Sequence, residues 1–399
     1  MSMGLLSGVR ILDLTWVLAG PYASLVLADL GAEVIKVESP EGGDMTRDLG
    51  PSLGPLSAHF AALNRNKRSV ALDLKSEAGR RVFYDLARHA DALFTNYRPG
   101  VLERLKLDYE HLSAEAPSIV YCALSGYGAT GPYRDKPAYD LVIQALSGGM
   151  SLTGEPGGPP VRSGIPFGDL AGGVFAALGL VSALVGRART GRGAYLDVSL
   201  LDVQISLLSY IAAYYWANGE VPGPVGSGHP TIVPYGAYRA RDGYLVLAIF
   251  GEKFWRDLCE ALDLQALAAD PRFATNADRV RHRGELEPLL RARLAERTTA
   301  EWIARCEQYG IPAAPVNSVD HALADLQARS RGMVREHVHP LLGRLRFLGN
   351  PIKTANGDDD GGRPAPLLGQ DTAEVLTALL GMTRDEIERL EAAGVCRLA

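Results

Sequence analysis

Residues 10–38 of the chain read RILDLTWVLAGPYASLVLADLGAEVIKVE. Two short apolar runs, Ile11–Leu14 and Val34–Val37, enclose a segment of helical composition, Pro21–Leu30. Pro21 falls in the first turn of that helix and Gly31 follows its end, which is the usual placement of the two residue types. The stretch therefore predicts two strands joined by a helix, the unit from which parallel sheets are built.

The same alternation continues along the chain to about residue 198. Further strand-like runs are Ser69–Leu72, Ala92–Thr95, Ile119–Leu124 and Ala194–Val198. We therefore expect an α/β fold whose large domain is a Rossmann-like, doubly wound parallel sheet. The loop after the first strand, Thr15–Pro21, holds a single glycine, so this sheet is not expected to bind a nicotinamide dinucleotide.

A Pro- and Gly-rich crossover, Val221–Pro230, separates this region from a different pattern. The predicted elements beyond it are a hairpin, Tyr235–Tyr238 with Tyr244–Ile249, and helices at Phe254–Leu262, Arg283–Glu296, Ala300–Tyr309, Thr372–Leu380 and Arg384–Ala393. A Gly- and Asp-rich loop is expected around 357–363. The predicted domains are 1–220, the first part of the large α/β domain; 221–330, a smaller α+β domain; and 331–399, a return to the large domain.

Charge and composition exclude several kinds of partner. The 399 residues carry a net charge of −5 and a pI near 6.0, so we expect neither nucleic acid nor a membrane as partner. No apolar run of bilayer-spanning length is free of charge, Gly or Pro, and Met1–Gly8 lacks the regions of a signal peptide, so a cytoplasmic location is expected. The four cysteines and the pair His337 and His339 lack metal-ligand spacing, so we expect no metal and no permanently bound cofactor.

The most informative short segment for chemistry is 164–173, GIPFGDLAGG. Pro166 breaks what precedes, and the run Val174–Val185 has helical length, so Asp169 falls near a helix N-terminus. There the helix dipole is expected to favour the ionised carboxylate, which could attack a thioester carbonyl. The alternative is an aspartate that merely caps a helix, since Asp is a preferred N-cap.

Ordered motifs along almost the whole chain resemble those of the class III CoA-transferases, the family of formyl-CoA transferase and carnitine CoA-transferase. They are Gly8–Thr15, Val17–Pro21, Leu30–Glu38, Gly43–Arg47, Asn64–Ser69, Asn96–Gly100, Ser125–Gly128, Tyr139–Asp140, Gly168–Asp169 and Pro366–Gln370. The segment His229–Tyr235 is most similar to that of the succinyl-CoA:dicarboxylate CoA-transferases, which act on glutarate, itaconate or mesaconate.

The resemblance implies CoA contacts in loops at the carboxyl ends of the strands, where open α/β sheets bind ligands. The implied residues are Val17, Leu18, Leu72, Asp73, Leu74, Lys75, Asn96, Tyr97, Arg98, Arg104, Lys136 and Tyr139. Taken singly, such cations are more often solvated surface charges. The family also implies a homodimer of two interlocked, ring-like chains.

The resemblance further implies the reaction. Asp169 is expected to attack an acyl-CoA, forming an acyl-aspartyl anhydride and then an aspartyl-CoA thioester, so that CoA, as a substrate moiety, passes to a second acid. Succinyl-CoA is the expected donor and a short dicarboxylate such as itaconate, mesaconate or glutarate the expected acceptor. The alternatives are intramolecular CoA transfer within an unsaturated dicarboxylyl-CoA and α-methylacyl-CoA racemisation.

Departures from the family pattern bear on the acids. Leu18 stands where formyl-CoA transferases carry glutamine, and Phe250 and Gly251 stand in their glycine-rich loop, so formate and oxalate are not expected. His229 and Thr231 are expected to hold a distal carboxylate, or else His229 only ties down its loop. Tyr139 replaces the histidine of the racemases, and a phenol with a pKa of about 10 is a poor base, so racemisation is disfavoured. A purely structural role for Tyr139 is the alternative.

Overall fold

The computed structural model describes residues 4–339, 342–354 and 362–399. The strands are β1 Arg10–Asp13, β2 Glu33–Glu38, β3 Lys67–Leu72, β4 Ala92–Thr95, β5 Val120–Ser125, β6 Ala194–Ser199, β7 Tyr235–Arg239, β8 Tyr244–Ala248, β9 Ala313–Pro315, β10 Val334–His339, β11 Gly343–Leu348 and β12 Cys396–Arg397. Most of the loop predicted at 357–363 lies outside the described residues.

The helices predicted at Pro21–Leu30 and beyond residue 250 appear within two residues of their expected bounds, whereas the helix Phe167–Thr190 begins well before the run that predicted it. They are α1 Ala19–Asp29, α2 Ala58–Asn64, α3 Glu77–Arg88, α4 Val101–Leu105, α5 Tyr109–Glu115, α6 Asp140–Leu146, α7 Phe167–Thr190, α8 Leu200–Ser206, α9 Ser209–Asn218, α10 Glu252–Ala261, α11 Gln265–Ala269, α12 Asn276–Arg281, α13 Arg283–Leu294, α14 Thr299–Gln308, α15 Val319–Ala324, α16 Leu326–Ser330, α17 Thr372–Leu380 and α18 Arg384–Ala392.

The central sheet has seven strands in the order β12-β3-β2-β1-β4-β5-β6. All neighbouring strands are parallel except β12, which pairs antiparallel with β3. The predicted α/β class and mainly parallel sheet are therefore confirmed. The edge strand β12 was not predicted, because two residues are too few to show a period.

Side chains of β1 alternate between two cores, one on each face of the sheet. Leu12 belongs to a cluster with residues of α3, α5 and α17, whereas Ile11 belongs to a second cluster with residues of α1, α7 and α8. Burial on both faces explains why the strands read as continuous apolar runs. The sheet is therefore covered by helices on both sides, as a doubly wound arrangement requires.

The chain groups into two compact units. Unit 1 comprises the chain up to Gly149, Ser163–Ala212 and the chain from Arg329 onward, and unit 2 comprises Met150–Arg162 and Ala213–Ala328. The segment Met150–Arg162, assigned to the large domain from the sequence, thus groups with unit 2. Its Gly154 carbonyl accepts a hydrogen bond from the Gly226 backbone nitrogen at 2.9 Å, a contact between distant segments that no local pattern reveals.

Unit 2 contains the predicted hairpin as β7 and β8, with β9 added antiparallel to β8. Trp255 of α10 and Trp302 of α14 are buried in its core. The apolar segment between β6 and Asn218 forms two helices, α8 and α9, and not one long helix. Ser209 has a φ of 46°, a left-handed conformation that interrupts a right-handed helix.

The helix α7 begins at Phe167, seven residues before the apolar run that predicted it. By length and composition it could cross a membrane, although Gly172, Gly173, Gly179 and Gly186 interrupt its apolar run. Of its most apolar 18-residue window, 39% is buried, and a core helix passes the same test. Its buried face, which includes Gly172, Gly173, Ala176 and Leu180, packs in the core with α1 and β5, so the length of α7 is weak evidence for a membrane.

Candidate active site

Asp169 is the third residue of α7, in the helix's first turn. Pro166 precedes the helix and provides no side-chain cap for it. The cap comes instead from α6, where Asp140 Oδ1 accepts hydrogen bonds from the backbone nitrogens of Gly168 at 2.8 Å and Asp169 at 3.2 Å. Asp169 therefore lies at a helix start, as predicted, but a second carboxylate occupies the helix's free N–H groups.

The electrostatics of Asp169 differ from the prediction. Its half-buried carboxylate accepts no hydrogen bond from the residues that the structure describes. Burial, and then the negative charge of Asp140, raise the pKa of Asp169 from 3.8 to about 7. The expectation that the helix end favours ionisation of Asp169 is wrong, since the N–H groups that would stabilise its charge are bound to Asp140.

The glycines around Asp169 are required by close packing. A Cβ at Gly168 would lie 2.0 Å from Gln204 Nε2, and one at Gly172 would lie 2.2 Å from Leu200 Cδ2. A Cβ at Gly173 would lie 2.5 Å from the backbone oxygen of Ala19. The missing side chains let α7 approach α8 and the start of α1, and Ala19 directly follows Leu18 of the predicted CoA loop.

That loop, between β1 and α1, is held in an unusual conformation. Val17 has a φ of 69°, a strained value for a β-branched residue. Asn96, after β4, donates from Nδ2 to the Trp16 oxygen at 2.8 Å and accepts from the Trp16 nitrogen at 3.0 Å. The rings of Trp16 and Tyr97 stack with centroids 6.0 Å apart. The loops after β1 and β4, both predicted to bind CoA, are thus in contact.

Buried charges lie beneath the loop. Lys36 Nζ donates to the Thr15 oxygen at 2.6 Å and pairs with Asp44 Oδ2 at 3.0 Å. Lys67 Nζ lies 3.2 Å from Asp13 Oδ2. The other oxygen of the same carboxylate, Asp13 Oδ1, accepts a hydrogen bond from the Thr15 nitrogen at 2.8 Å. Sequence reasoning missed this group of buried charges. The available signal was the presence of lysines and aspartates inside apolar strands, since charged residues are rarely buried unless they are paired.

The cations predicted to contact CoA differ in whether their side chains already have a partner, and Tyr139 is described with them. Lys75, Arg98 and Arg104 are exposed, and their side chains form no ion pair or hydrogen bond with the described residues, so they are free to meet an anion. Lys136 Nζ lies 3.6 Å from the ring centroid of Tyr133. Tyr139 is 65% exposed.

Three of the four residues predicted to contact CoA at the end of β3 are engaged within the fold. The side chain of Leu72 is buried in the core, and its backbone pairs with Cys396 of β12. Asp73 Oδ1 accepts from the Lys75 nitrogen at 3.0 Å, and Leu74 packs at the edge of the same core. Of these four residues, Lys75 is the exposed one.

In unit 2, the structure brings His229 and Thr231 together. The Thr231 nitrogen donates to His229 Nδ1 at 3.2 Å, and the rings of His229 and Tyr235 lie 5.4 Å apart. Arg283 Nη2 donates to the His229 oxygen at 2.7 Å. Burial, and then the Arg283 charge, lower the pKa of His229. The contacts with Thr231 and Arg283 tie this histidine to its loop, and they also place it beside a cation that could meet a carboxylate.

The other two predicted residues of the acid pocket lie at the start of α10. Phe250 is 75% exposed, and Gly251, with a φ of 100°, is the N-cap of that helix. A cavity of about 610 Å³ lies elsewhere in unit 2, lined by Glu155, Tyr235, Tyr238, Arg283, Glu287 and Arg291 among others. The two arginines were missed, although Arg283, Glu287 and Arg291 are spaced four apart and so share one face of a predicted helix.

Comparison with known proteins places these features in a family. The model of CoA-transferase family III matches residues 6–372. Succinyl-CoA:glutarate CoA-transferase of Mus musculus is 41% identical over 99% of this chain and 91% of its own length. Acetyl-CoA:oxalate CoA-transferase of Acetobacter aceti is 39% identical over 93% of this chain and 94% of its own length.

A solved structure agrees. The crystal structure of a CAIB/BAIF family protein from Brucella suis superimposes with a TM-score of 0.84 and 37% identity, covering 95% of this chain and all of that one. The chain belongs to CoA-transferase family III and is a CoA-transferase. The resemblance read from the motifs is therefore confirmed.

Proposed function

We propose that the protein transfers CoA from an acyl-CoA, with succinyl-CoA as the donor, to a short dicarboxylate, using Asp169 as the nucleophile. The observation that carries the proposal is the carboxylate of Asp169, half-buried and without a hydrogen bond from the described residues at the start of α7. A pKa of about 7 leaves it substantially ionised at neutral pH and makes it more basic than an ordinary aspartate. A basic, poorly solvated carboxylate is a suitable nucleophile for a thioester.

In the first half of the proposed reaction, an Asp169 oxygen bonds to the thioester carbonyl carbon, the C–S bond breaks and CoA leaves as the thiolate. The product is a mixed anhydride between Asp169 and the acyl group. The thiolate then attacks the Asp169 carbonyl carbon and the donor acid leaves as its carboxylate. The aspartyl-CoA thioester that remains keeps the energy of the original thioester.

In the second half, a carboxylate oxygen of the acceptor attacks the aspartyl thioester and CoA again leaves as the thiolate. This forms a new mixed anhydride, whose acceptor carbonyl the thiolate attacks. Asp169 is released as a carboxylate and the acceptor leaves as its CoA thioester. No proton or electron is gained or lost over the proposed cycle, so its steps balance without a redox cofactor.

The acceptor is proposed to be a C4 to C6 dicarboxylate. The mouse relative is named for glutarate, which supports this length, whereas the Acetobacter relative is named for oxalate. Against oxalate stand Leu18, which is half-buried and apolar, and Phe250, which is large. His229, Thr231 and the neighbouring Arg283 are the polar groups proposed to hold the distal carboxylate.

We also propose that the active form is a homodimer. The solvent side of α7 carries Val174, Phe175, Leu178 and Val185, each at least 41% exposed in the single chain. Contiguous apolar surface of this kind usually marks a protein interface. A second copy of the chain is the occupant that the family resemblance implies. Leu178→Glu should lower the mass measured by light scattering, whereas the same change at exposed Leu5 should not.

The decisive experiment for the nucleophile is trapping during turnover. Borohydride reduces an aspartyl thioester to an alcohol, and trypsin releases residues 163–187, in which Asp169 is the only carboxyl side chain. With succinyl-CoA and glutarate present, this peptide should carry the modification, and Asp169→Ala should abolish both labelling and CoA exchange. Asp202→Ala, which removes an exposed acid in the first turn of α8, is the matched control and should change neither.

Full exchange activity in Asp169→Ala would refute the mechanism. A racemase would instead exchange the α-proton of a methylacyl-CoA for deuterium without any acceptor acid, so the same enzyme should be incubated with a chiral methylacyl-CoA in heavy water. Intramolecular transfer would appear as isomerised dicarboxylyl-CoA in the absence of a second acid.

A further inference from the structure

The N-terminus of α7 has no cap of its own. Pro166 offers no side-chain acceptor, yet the N–H groups of Gly168 and Asp169 point out of the first turn and need one. Asp140, which begins α6 and is buried, supplies it with a single oxygen, Oδ1. A cap borrowed from another helix fixes the backbone of Asp169 relative to α6.

Further hydrogen bonds hold Asp140 in place. Its Oδ2 accepts from Gln144 Nε2 at 2.6 Å, and Gln144 Oε1 accepts from the Ser163 nitrogen at 2.9 Å, just before α7. Gln204 of α8 covers the other side, since a Cβ on Gly168 would lie 2.0 Å from its Nε2 and 2.9 Å from Asp140 Oδ1. Gly168 is therefore glycine because Asp140 and Gln204 occupy its side-chain space.

Asp140 is also the charged group that acts on Asp169. The acids of the other elements packed against α7 are engaged elsewhere or exposed: Asp29 of α1 pairs with Arg65, Asp197 of β6 accepts from the Ala129 nitrogen, and Asp202 of α8 is exposed. From β5, the thiol of Cys122 faces the Ala176 oxygen. No described cation pairs with Asp140 or Asp169.

We propose that Asp140 is a positioning residue for the nucleophile: it caps α7 from α6, fixes the backbone of Asp169 and places a second negative charge beside it. The inference rests on the proposed function of Asp169. Two carboxylates in one site oppose each other's ionisation, which agrees with the raised pKa of Asp169. Since anions lose nucleophilicity as they lose basicity, the neighbouring charge keeps Asp169 reactive toward a thioester.

The test separates the charge of Asp140 from its hydrogen bonds. Asp140→Asn keeps an oxygen that can accept from the α7 N–H groups. Its new amide NH2 group, however, faces the NH2 group of Gln144, and two donors cannot form a hydrogen bond with each other. In the double variant Asp140→Asn with Gln144→Glu, the new amide donates to the new carboxylate, which still accepts from the Ser163 nitrogen. The double variant restores every hydrogen bond and moves the charge one side chain away from Asp169.

The first measurement is the ionisation of Asp169. It is followed by labelling the protein with a carbodiimide at a series of pH values and quantifying the label in the peptide 163–187. This measurement does not require an active enzyme. The labelling midpoint should lie near pH 7 in the parent. In the double variant it should fall by roughly one unit or more, because a like charge next to a carboxylate shifts its pKa by that order. An unchanged midpoint in the folded double variant would overturn the proposal.

The second measurement is exchange activity. The acidic limb of kcat/KM should follow the labelling midpoint. Above pH 8, kcat should fall roughly three-fold in the double variant for each unit by which the pKa of Asp169 falls, since a Brønsted coefficient of about 0.4 to 0.5 relates nucleophilicity to basicity. KM for the acyl-CoA should stay within about two-fold, since Asp140 is not among the CoA contacts. A purely structural role predicts that the double variant recovers the parent's pH profile, which would overturn the proposal. A shifted labelling midpoint without exchange activity in the parent would instead count against the proposed function alone.

Discussion

One side chain, that of Asn96, binds both backbone groups of Trp16, donating to its oxygen at 2.8 Å and accepting from its nitrogen at 3.0 Å. These two residues are 80 positions apart, and each follows a strand of the central sheet. The contact holds the loop that contains Val17 at its positive φ. The side chain of Asn96, which is predicted to contact CoA, is therefore engaged in this structure in supporting the neighbouring loop.

Asn96→Ala should weaken the binding of CoA. The change removes two hydrogen bonds, each worth about 0.5 to 1.5 kcal/mol, so the dissociation constant should rise roughly five- to a hundred-fold. Calorimetry with CoA measures this directly. Asn218→Ala, at the exposed end of α9, is the control, and equal affinity in the two variants would show that the loop does not contribute to the CoA site.

Arg104→Ala should also weaken CoA binding, because the exposed guanidinium is free to meet a phosphate. A charge-assisted hydrogen bond is worth about 1.5 to 3 kcal/mol, so the apparent donor constant should rise roughly ten- to a hundred-fold. Arg81→Ala, which removes an exposed arginine paired with Glu77 on α3, should leave it unchanged. Undiminished affinity in Arg104→Ala would place the CoA site elsewhere.

The acceptor should be a dicarboxylate of moderate length. Groups that bind a distal carboxylate stay unpaired when a monoacid is bound, so kcat/KM for glutarate, itaconate or mesaconate should exceed that for valerate or butyrate by at least roughly ten-fold. Succinyl-CoA serves as donor throughout. Oxalate tests the length limit, and turnover of butyrate or oxalate equal to that of glutarate would contradict the proposed acceptor while leaving CoA transfer intact.

Asp169 should make the stability of the protein depend on pH. Its pKa is raised from 3.8 to about 7 in the folded state, first by burial and then by Asp140. Below 3.8 the carboxyl is neutral in both the folded and the unfolded chain, so it has no effect there. As the pH rises to 7, ionisation increasingly favours the unfolded chain, and above 7 this destabilisation is complete.

Asp169→Asn removes that ionisation. Relative to the parent, the variant should therefore gain stability between about pH 4 and pH 7 and keep a constant advantage above it. Denaturant unfolding at pH 4.5, 6 and 8 measures the difference in free energy. An advantage that shrinks as the pH rises would show that the pKa of Asp169 is lowered instead.

The local pattern predicted the helices and strands best where neighbouring residues alone decide them. The runs Ile11–Leu14 and Val34–Val37 appear as β1 and β2, and the helix predicted at Thr372–Leu380 has the same bounds in the structure. The candidate nucleophile could be found because a Pro and several Gly surround one acid at the start of an apolar run. The ionisation of that acid could not, because it depends on a residue of another helix.

By itself, then, the sequence determined the α/β order of elements, the position of Asp169 at a helix start and, through its motifs, the CoA-transferase family. Apolar period, proline and glycine act over a few residues and can be read directly. Only the tertiary structure decided that Asp140 caps α7, that Asn96 holds Trp16, and that Met150–Arg162 joins unit 2. Each of these rests on hydrogen bonds or packing between segments far apart in the chain, and such contacts leave no local period in the sequence.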